Sequence, residues 1–315
     1  MHYLSYVAPR WLPGGHAQTI YPAKFFPKPL VQYRRERWET PDGDFIDLDC
    51  VDGVAGRPFV VLFHGLEGSS DSHYAKALMA HLYQQGWSGA VVHFRGCSGT
   101  INRMPRFYHS GDSAEIDWII RRLRLRYTHH FYAVGVSLGG NALLRWLGES
   151  QSQAGMVDAA CAVSTPLDLA ASGAALSGGM NRLYTHNFLR TLKKQCLKKL
   201  EQFPDLFSRT HMLAARNLYE FDNVVTAPLH GYRDTDDYWH RASAKQVIMD
   251  ITVPTLILNA QNDPFLPARH LPHRAARSVM LEYPKEGGHA GFITSIPRVT
   301  TDWLPQRMTC FLERY

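Results

Sequence analysis

The sequence predicts an α/β fold: a mostly parallel sheet flanked by helices on both faces, with an inserted helical cap. Three observations carry this expectation. Short apolar runs of strand length recur along the chain. Amphipathic stretches of helical period separate them, as crossovers between parallel strands require. The alternation stops over about 168–245 and then resumes, as an insertion of helices would make it do.

Taken in order, residues 1–30 are rich in proline and aromatics, among them Trp11, Tyr21, Phe25 and Phe26, and read as an extended N-terminal arm that wraps the domain. A hairpin follows, its strands at 34–40 and 45–51 flanking the turn signal Pro41-Asp42-Gly43. The rhythm of short strands and helices then begins. Strands are expected at 59–63, 90–94, 131–136 and 159–163, and helices at 73–85, 113–127 and 138–147. Asp112, with Glu115 three residues on, reads as the cap of the second of these helices. In the insertion, Lys193, Lys194, Lys198 and Lys199 interleave with Leu192, Leu197 and Leu200 in a helical pattern. Strands return at 253–258 and 279–282, and a last helix is expected over 301–314. The whole reads as one domain over 1–315, with arm and cap as its additions.

Composition narrows the class. The chain has 315 residues, 45% apolar and 20% charged, which suits a globular protein and excludes a disordered or fibrous one. Its net charge of +6 is moderate. Arg121, Arg122, Arg124 and Arg126 alternate with Ile119, Ile120, Leu123 and Tyr127, which makes a solvated helix face and not a nucleic-acid reader. The five cysteines are odd in number and scattered, with no Cys-x-x-Cys pair. They argue against a disulfide framework or structural zinc and for a reducing compartment. The N-terminus does not read as a secretory signal, and no run reaches about 18 apolar residues. The expectation is a cytoplasmic protein with no stable membrane anchor.

The chemistry centres on Gly135-Val136-Ser137-Leu138-Gly139-Gly140, a G-x-S-x-G pattern. Composition alone gives about 0.1 chance matches in a chain this long. A buried-type strand before Ser137 and a helix after it supply the context that makes the pattern a nucleophile elbow, and the fold an α/β-hydrolase fold. A serine hydroxyl is a poor nucleophile at neutral pH and needs a base that is itself oriented by a third group. In this fold the order is Ser, then Asp or Glu, then His. Asp263 lies just past the strand at 253–258, and His289 sits in the loop Gly287-Gly288-His289-Ala290-Gly291 after the strand at 279–282. Asp234, Asp236 and Asp237 fall in the insertion and fit less well. The oxyanion donors are expected to be the backbone N–H groups of Leu138, the residue after the serine, and Leu66, in His64-Gly65-Leu66-Glu67-Gly68.

With these residues assembled, the chain resembles the α/β-hydrolase group of bacterial YheT-like esterases, plant EMB8-like proteins and mammalian ABHD1/ABHD3-type hydrolases, the bacterial form above all. The resemblance rests on Gly14-Gly15-His16-Ala17-Gln18-Thr19, His64-Gly65-Leu66-Glu67-Gly68-Ser69, Phe94-Arg95-Gly96-Cys97-Ser98-Gly99 and Tyr108-His109-Ser110-Gly111-Asp112, with the elbow, Asn262-Asp263-Pro264 and Gly288-His289-Ala290-Gly291-Phe292. It covers nearly the whole chain. It implies a carboxylic-ester hydrolase whose Ser-Asp-His triad falls on Ser137, Asp263 and His289.

The expected partner is a small-molecule ester, acyl or lipid-like, with no cofactor and no metal. His129-His130 has no partner at metal-ligand spacing, and no G-x-G-x-x-G or P-loop is present. A thioesterase or amidase would use the same triad. A haloalkane dehalogenase or epoxide hydrolase would carry aspartate at position 137. A binding module on the hydrolase fold would be expected to have lost part of the triad. His16, Gln18 and Thr19 read as ties holding the arm to the domain, with pocket lining as the rival role. The aromatics of the insertion suit an acyl pocket and a core of the cap's own equally well.

Overall fold

The computed structural model describes residues 5–295 and 299–315; Met1 to Leu4 of the expected arm lie outside them. Eight strands form one sheet: β1 (Arg34–Glu39), β2 (Phe45–Val51), β3 (Phe59–Phe63), β4 (Ser88–His93), β5 (Phe131–Val136), β6 (Ala159–Val163), β7 (Thr255–Leu258) and β8 (Val279–Glu282). Their spatial order is β1-β2-β4-β3-β5-β6-β7-β8. β2 pairs antiparallel with β1 and β4, and every other pairing is parallel. The hairpin register is fixed by charge. Arg35 faces Asp49 and Arg37 faces Asp47, and each pair makes two guanidinium–carboxylate bonds of 2.7–2.8 Å.

The central strands are wholly buried, and their side chains alternate between two cores. Phe59, Val61 and Phe63 of β3 point to one face, and Val60 and Leu62 to the other. Helices α3 (Ser113–Arg124) and α4 (Leu138–Ser150) cover the first face, while α2 (His73–Gln84) and α11 (Trp303–Leu312) cover the second. The α/β-hydrolase fold expected from the sequence is the fold observed.

Between β6 and β7 lie α5 (Leu169–Leu176), α6 (Asn181–Gln202), α7 (Arg209–Ala214), α8 (Leu218–Val224), α9 (Thr226–Leu229) and α10 (Thr235–Ala242). They enclose small apolar clusters of their own, one built on Leu189, Cys196, Leu200, Met212 and Phe221. Lys199, one of the lysines interleaved with leucines in the sequence pattern, is fully buried. Its amine donates to Asn102 O at 2.5 Å and Met104 O at 2.9 Å, and burial pulls its pKa down to about 8. Asn141 of α4 joins this layer to the sheet, donating to Ser110 O and Ala242 O and accepting from Ala244 N–H.

Two local expectations are corrected. The arm is not extended throughout: Gly14–Lys24 is a helix, α1, entered from extended Pro13 and carrying Pro22 inside it. Proline removes one helical donor, which costs a helix lacking tertiary support more than one that packs. Asp112 does stand at the head of α3, but its side chain makes no cap bond. It pairs instead with Arg106 Nη2 at 2.6 Å, and Glu115 is buried against Arg95 Nε at 2.6 Å. A charge-assisted bond is roughly twice as strong as a neutral one and takes the carboxylate from the backbone.

The carboxyl ends of β6 and β7 are tied by Asn259, which is fully buried, donates to Thr165 O at 3.0 Å and accepts from Thr165 N–H at 3.2 Å. Asn259→Ala leaves Thr165 N–H unpaired while Thr165 O keeps Leu167 N–H at 2.9 Å, and urea unfolding is expected to show a loss of about 1–3 kcal/mol.

Candidate active site

Parallel pairing brings the carboxyl ends of β3, β5, β6, β7 and β8 to one edge of the sheet. Ser137 stands between β5 and α4 with φ 55° and ψ −122°, a conformation that costs an L-residue about 1–3 kcal/mol. Its surroundings hold it there. Ser137 N–H donates to Val163 O at 2.9 Å, and Asn141 N–H donates to Ser137 O at 3.0 Å. The flanking glycines are required by space. A Cβ on Gly139 would lie 2.3 Å from Phe63 O, and one on Gly135 would lie 2.5 Å from Gly139 O.

Asp263 and His289 come from the loops after β7 and β8. His289 Nε2 is 2.9 Å from Ser137 Oγ, and His289 Nδ1 is 2.9 Å from Asp263 Oδ2. A carboxylate accepts only, so Nδ1 carries the proton and Nε2 is left as an acceptor for the serine hydroxyl. Asp263 is 4% exposed, and its Oδ1 accepts from Phe265 N–H at 2.8 Å. The Phe265 ring stacks on the imidazole with centroids 4.0 Å apart. The loop of His289 is pinned from several sides: Ala290 N–H donates to Ser164 Oγ at 2.8 Å, and Ala290 O accepts from His73 Nε2 at 2.8 Å.

The loop after β3 packs against the serine, since a Cβ on Gly65 would lie 3.0 Å from Ser137 Cβ. His64 shapes this loop. Phe94 N–H donates to its Nε2 at 3.2 Å, so Nδ1 carries the proton and donates to Gly65 O at 2.7 Å. The N–H groups of Gly65, Glu67 and Gly68 go to Tyr74 Oη, Tyr108 Oη and Gly65 O. Among the described residues the N–H of Leu66 has no protein acceptor. Leu138 N–H lies in the first turn of α4, where backbone donors lack partners within the helix. Leu66 and Leu138 line the same cavity as Ser137 and His289.

Two spaces meet at the serine. One is a largely apolar cavity of about 130 Å³ under the inserted helices, walled in part by Leu176, Phe188, Phe221, Val225 and Trp239. Asp222 borders it; burial pushes this carboxyl up to about 6, and it is held by Thr226 Oγ1 and Trp239 Nε1. The other is an open cleft of about 600 Å³ between α1, the loop after β3 and the start of α6, lined by Lys24, Lys28, Met180 and Leu183 among others. The aromatics of the insertion thus divide between the cavity wall and a separate core.

The structure brings together Ser137, Asp263, His289, Leu66 and Leu138. Arg95, Arg106, His109 and Asp112 form a polar cluster, in which Arg95 also meets Asp42 and Asp44, but of these four Arg95 and His109 reach the cavity. Gln18 and Thr19 are buried ties, Thr19 also lining the open cleft, while His16 meets Tyr184 Oη at 3.2 Å. Among the described residues no cluster of three His, Cys, Asp or Glu side chains is placed to hold a metal ion. Sequence reading missed His73, Ser164 and Phe265. Phe265 follows Asp263 by two residues and was within reach of it; His73 and Ser164 belong to remote segments and gave no signal.

A sequence model described as the alpha/beta hydrolase fold matches residues 58–295. YheT of Escherichia coli (strain K12), a provisionally assigned esterase, is 38% identical over 308 residues, covering 95% of this chain and 90% of that protein. The phospholipase ABHD3 of Homo sapiens is 31% identical over 306 residues, 92% of this chain and 74% of its own length. Among solved structures, the Pyrococcus furiosus esterase Pf2001 superposes with a TM-score of 0.57 at 16% identity, with 98% of each chain covered. At that identity the likeness concerns the fold alone. The resemblance read from the motifs is borne out by the first two relatives.

Burial pushes the His64 imidazole down to about 3 from 6.5. Between those values the unfolded chain takes up a proton that the folded protein refuses. The contribution of His64 is therefore complete above pH 6.5 and is lost as pH falls, by about 1.4 kcal/mol per unit. Urea unfolding between pH 6.5 and 4 should give wild type a steeper loss than His64→Asn by about that amount per unit.

Proposed function

The chain belongs to the α/β-hydrolase fold family, and from that premise we propose that it is a serine hydrolase of carboxylic esters. The observation that carries the reading is the unbroken hydrogen-bond chain from Asp263 through His289 to Ser137. Ser137 Oγ attacks the ester carbonyl as His289 Nε2 takes its proton, and Asp263 stabilises the imidazolium. The N–H groups of Leu66 and Leu138 hold the oxyanion. His289 then protonates the leaving alcohol as the tetrahedral intermediate collapses to an acyl-enzyme. Water, deprotonated by His289, attacks the acyl carbon, and the acid leaves as Ser137 regains its proton. Each step is served by a group of this chain.

In this reading the hydrolase domain spans 1–315, and the insertion over about 168–245 acts as a cap. The apolar cavity under the inserted helices takes the acyl chain, and the open cleft takes the alcohol. Thioesters and amides would follow the same steps; the names of the relatives, an esterase and a phospholipase, favour esters. A non-catalytic binding role gives no reason for an intact relay. No helix among the described residues is long and apolar enough to cross a membrane. The five free cysteines support a reducing, cytoplasmic setting.

Fluorophosphonate labelling and turnover of p-nitrophenyl esters of graded acyl length test the proposal. Wild type should label, whereas Ser137→Ala and His289→Ala should not, with kcat lowered about 10⁴-fold or more and the fold retained. A Ser137→Ala protein that turned over esters at the wild-type rate would sink it.

A further inference from the structure

Resting on the reading just given, we infer that Gln18 and Thr19, from the N-terminal helix α1, are positioning residues that set the acid and histidine loops in register. Helix α1 precedes the stretch matched by the family model, 58–295, so the brace comes from outside that part of the chain.

Gln18 is fully buried and uses all four hydrogen-bonding positions of its amide. Its Oε1 accepts from Asn262 Nδ2 and from Gly287 N–H, both at 2.9 Å. One oxygen atom thus joins the residue before Asp263 to the loop of His289. Its Nε2 donates to Leu12 O at 2.9 Å, within the arm, and to Glu286 Oε1 at 3.0 Å. Asn262 completes the bracket, its Oδ1 accepting from Gly288 N–H at 3.0 Å. Thr19 is adjacent. Its Oγ1 accepts from the N–H of His289 itself at 2.8 Å and donates to Gly15 O at 2.6 Å. Backbones meet without side chains between them: a Cβ on Gly15 would lie 1.8 Å from Asn262 O, and one on Gly291 would lie 1.9 Å from Gln18 O. Pro22, lacking an N–H, cannot complete the helical bond to Gln18 O, which leaves that carbonyl free to face Gly291.

The consequence is kinetic. The backbone of His289 hangs from Thr19, and the spacing between the Asp263 and His289 loops is set by the Gln18 amide together with the Asn262–Gly288 bond. Loss of either bond loosens the imidazole relative to both of its partners; Thr19 also borders the open cleft, whose shape the near-isosteric Thr19→Val keeps. Misplacement by about 1 Å can lower a rate about 10²-fold.

The test uses the full chain with Gln18→Leu, Thr19→Val and the conservative Thr19→Ser, reading ester kinetics, melting temperature and amide exchange at Gly287 and His289. Thr19→Val is near-isosteric, which guards against a Gln18→Leu protein that fails to fold. The expected result is a fall in kcat of about 10²-fold with KM changed less than about twofold, faster exchange at those amides, and recovery in Thr19→Ser. Unchanged amide exchange, an unchanged kcat, or a change in KM alone overturns the positioning role. A labelled, active wild type whose Thr19→Val variant keeps its kcat defeats this inference and leaves the serine-hydrolase reading standing. A wild type that neither labels nor turns over esters defeats both.

Discussion

Parallel strand pairing is the constraint on which everything else depends. A parallel sheet must return each strand's end by a crossover, so all the carboxyl ends from β3 through β8 face the same way. Loops at that edge can meet although their residues are more than a hundred positions apart. The strands that do this are buried on both faces, which is why they read as continuous apolar runs. The antiparallel hairpin at the other edge serves a different end. Its register is held by paired charges, and it closes the sheet where no site is built.

Against this rigid edge the site can hold a costly geometry. Ser137 sits in a backbone conformation that L-residues avoid, and so do Glu67, Ser164 and Ala290 nearby, all with positive φ. Each is held by at least one bond to another element. The end of β6 serves two of them at once, with Val163 O bonded to Ser137 N–H and Ser164 Oγ to Ala290 N–H. The polar groups spent on this are themselves buried, so each must find a partner or destabilise the fold by about 1–3 kcal/mol. His64, neutral and buried, gives both ring nitrogens to backbone groups and so fixes the loop whose Leu66 N–H has no acceptor among the described residues.

The inserted helices and α1 divide the space around the serine between them. Inserted side chains supply much of the apolar cavity's wall, while α1 and the start of α6 border the open cleft. The insertion is fastened at polar points: Lys199 to the carbonyls of Asn102 and Met104, Asn141 to Ser110, Ala242 and Ala244. A buried amine donating to two carbonyls, its pKa pulled down to about 8, shows that one helix can carry solvated lysines and a structural one side by side.

The sequence by itself determined the fold class, because buried parallel strands and amphipathic helices leave periodic traces that need no knowledge of partners. It also singled out Ser137, Asp263 and His289, since turns and strand ends constrain residue type locally: glycine where backbones crowd, aspartate and histidine in loops past apolar runs. What it left open depended on contacts between distant segments. Whether Asp112 bonds its own helix or Arg106 is a competition between a neutral donor and a charged one, and only folding brings the guanidinium near. That Lys199 is buried, that His73 holds Ala290 O, and that Gln18 spans two loops more than 240 residues away follow from how the elements pack. A side chain's partner across such a distance has no local signature, because hydrogen bonding selects for geometry that exists only once the sheet is assembled.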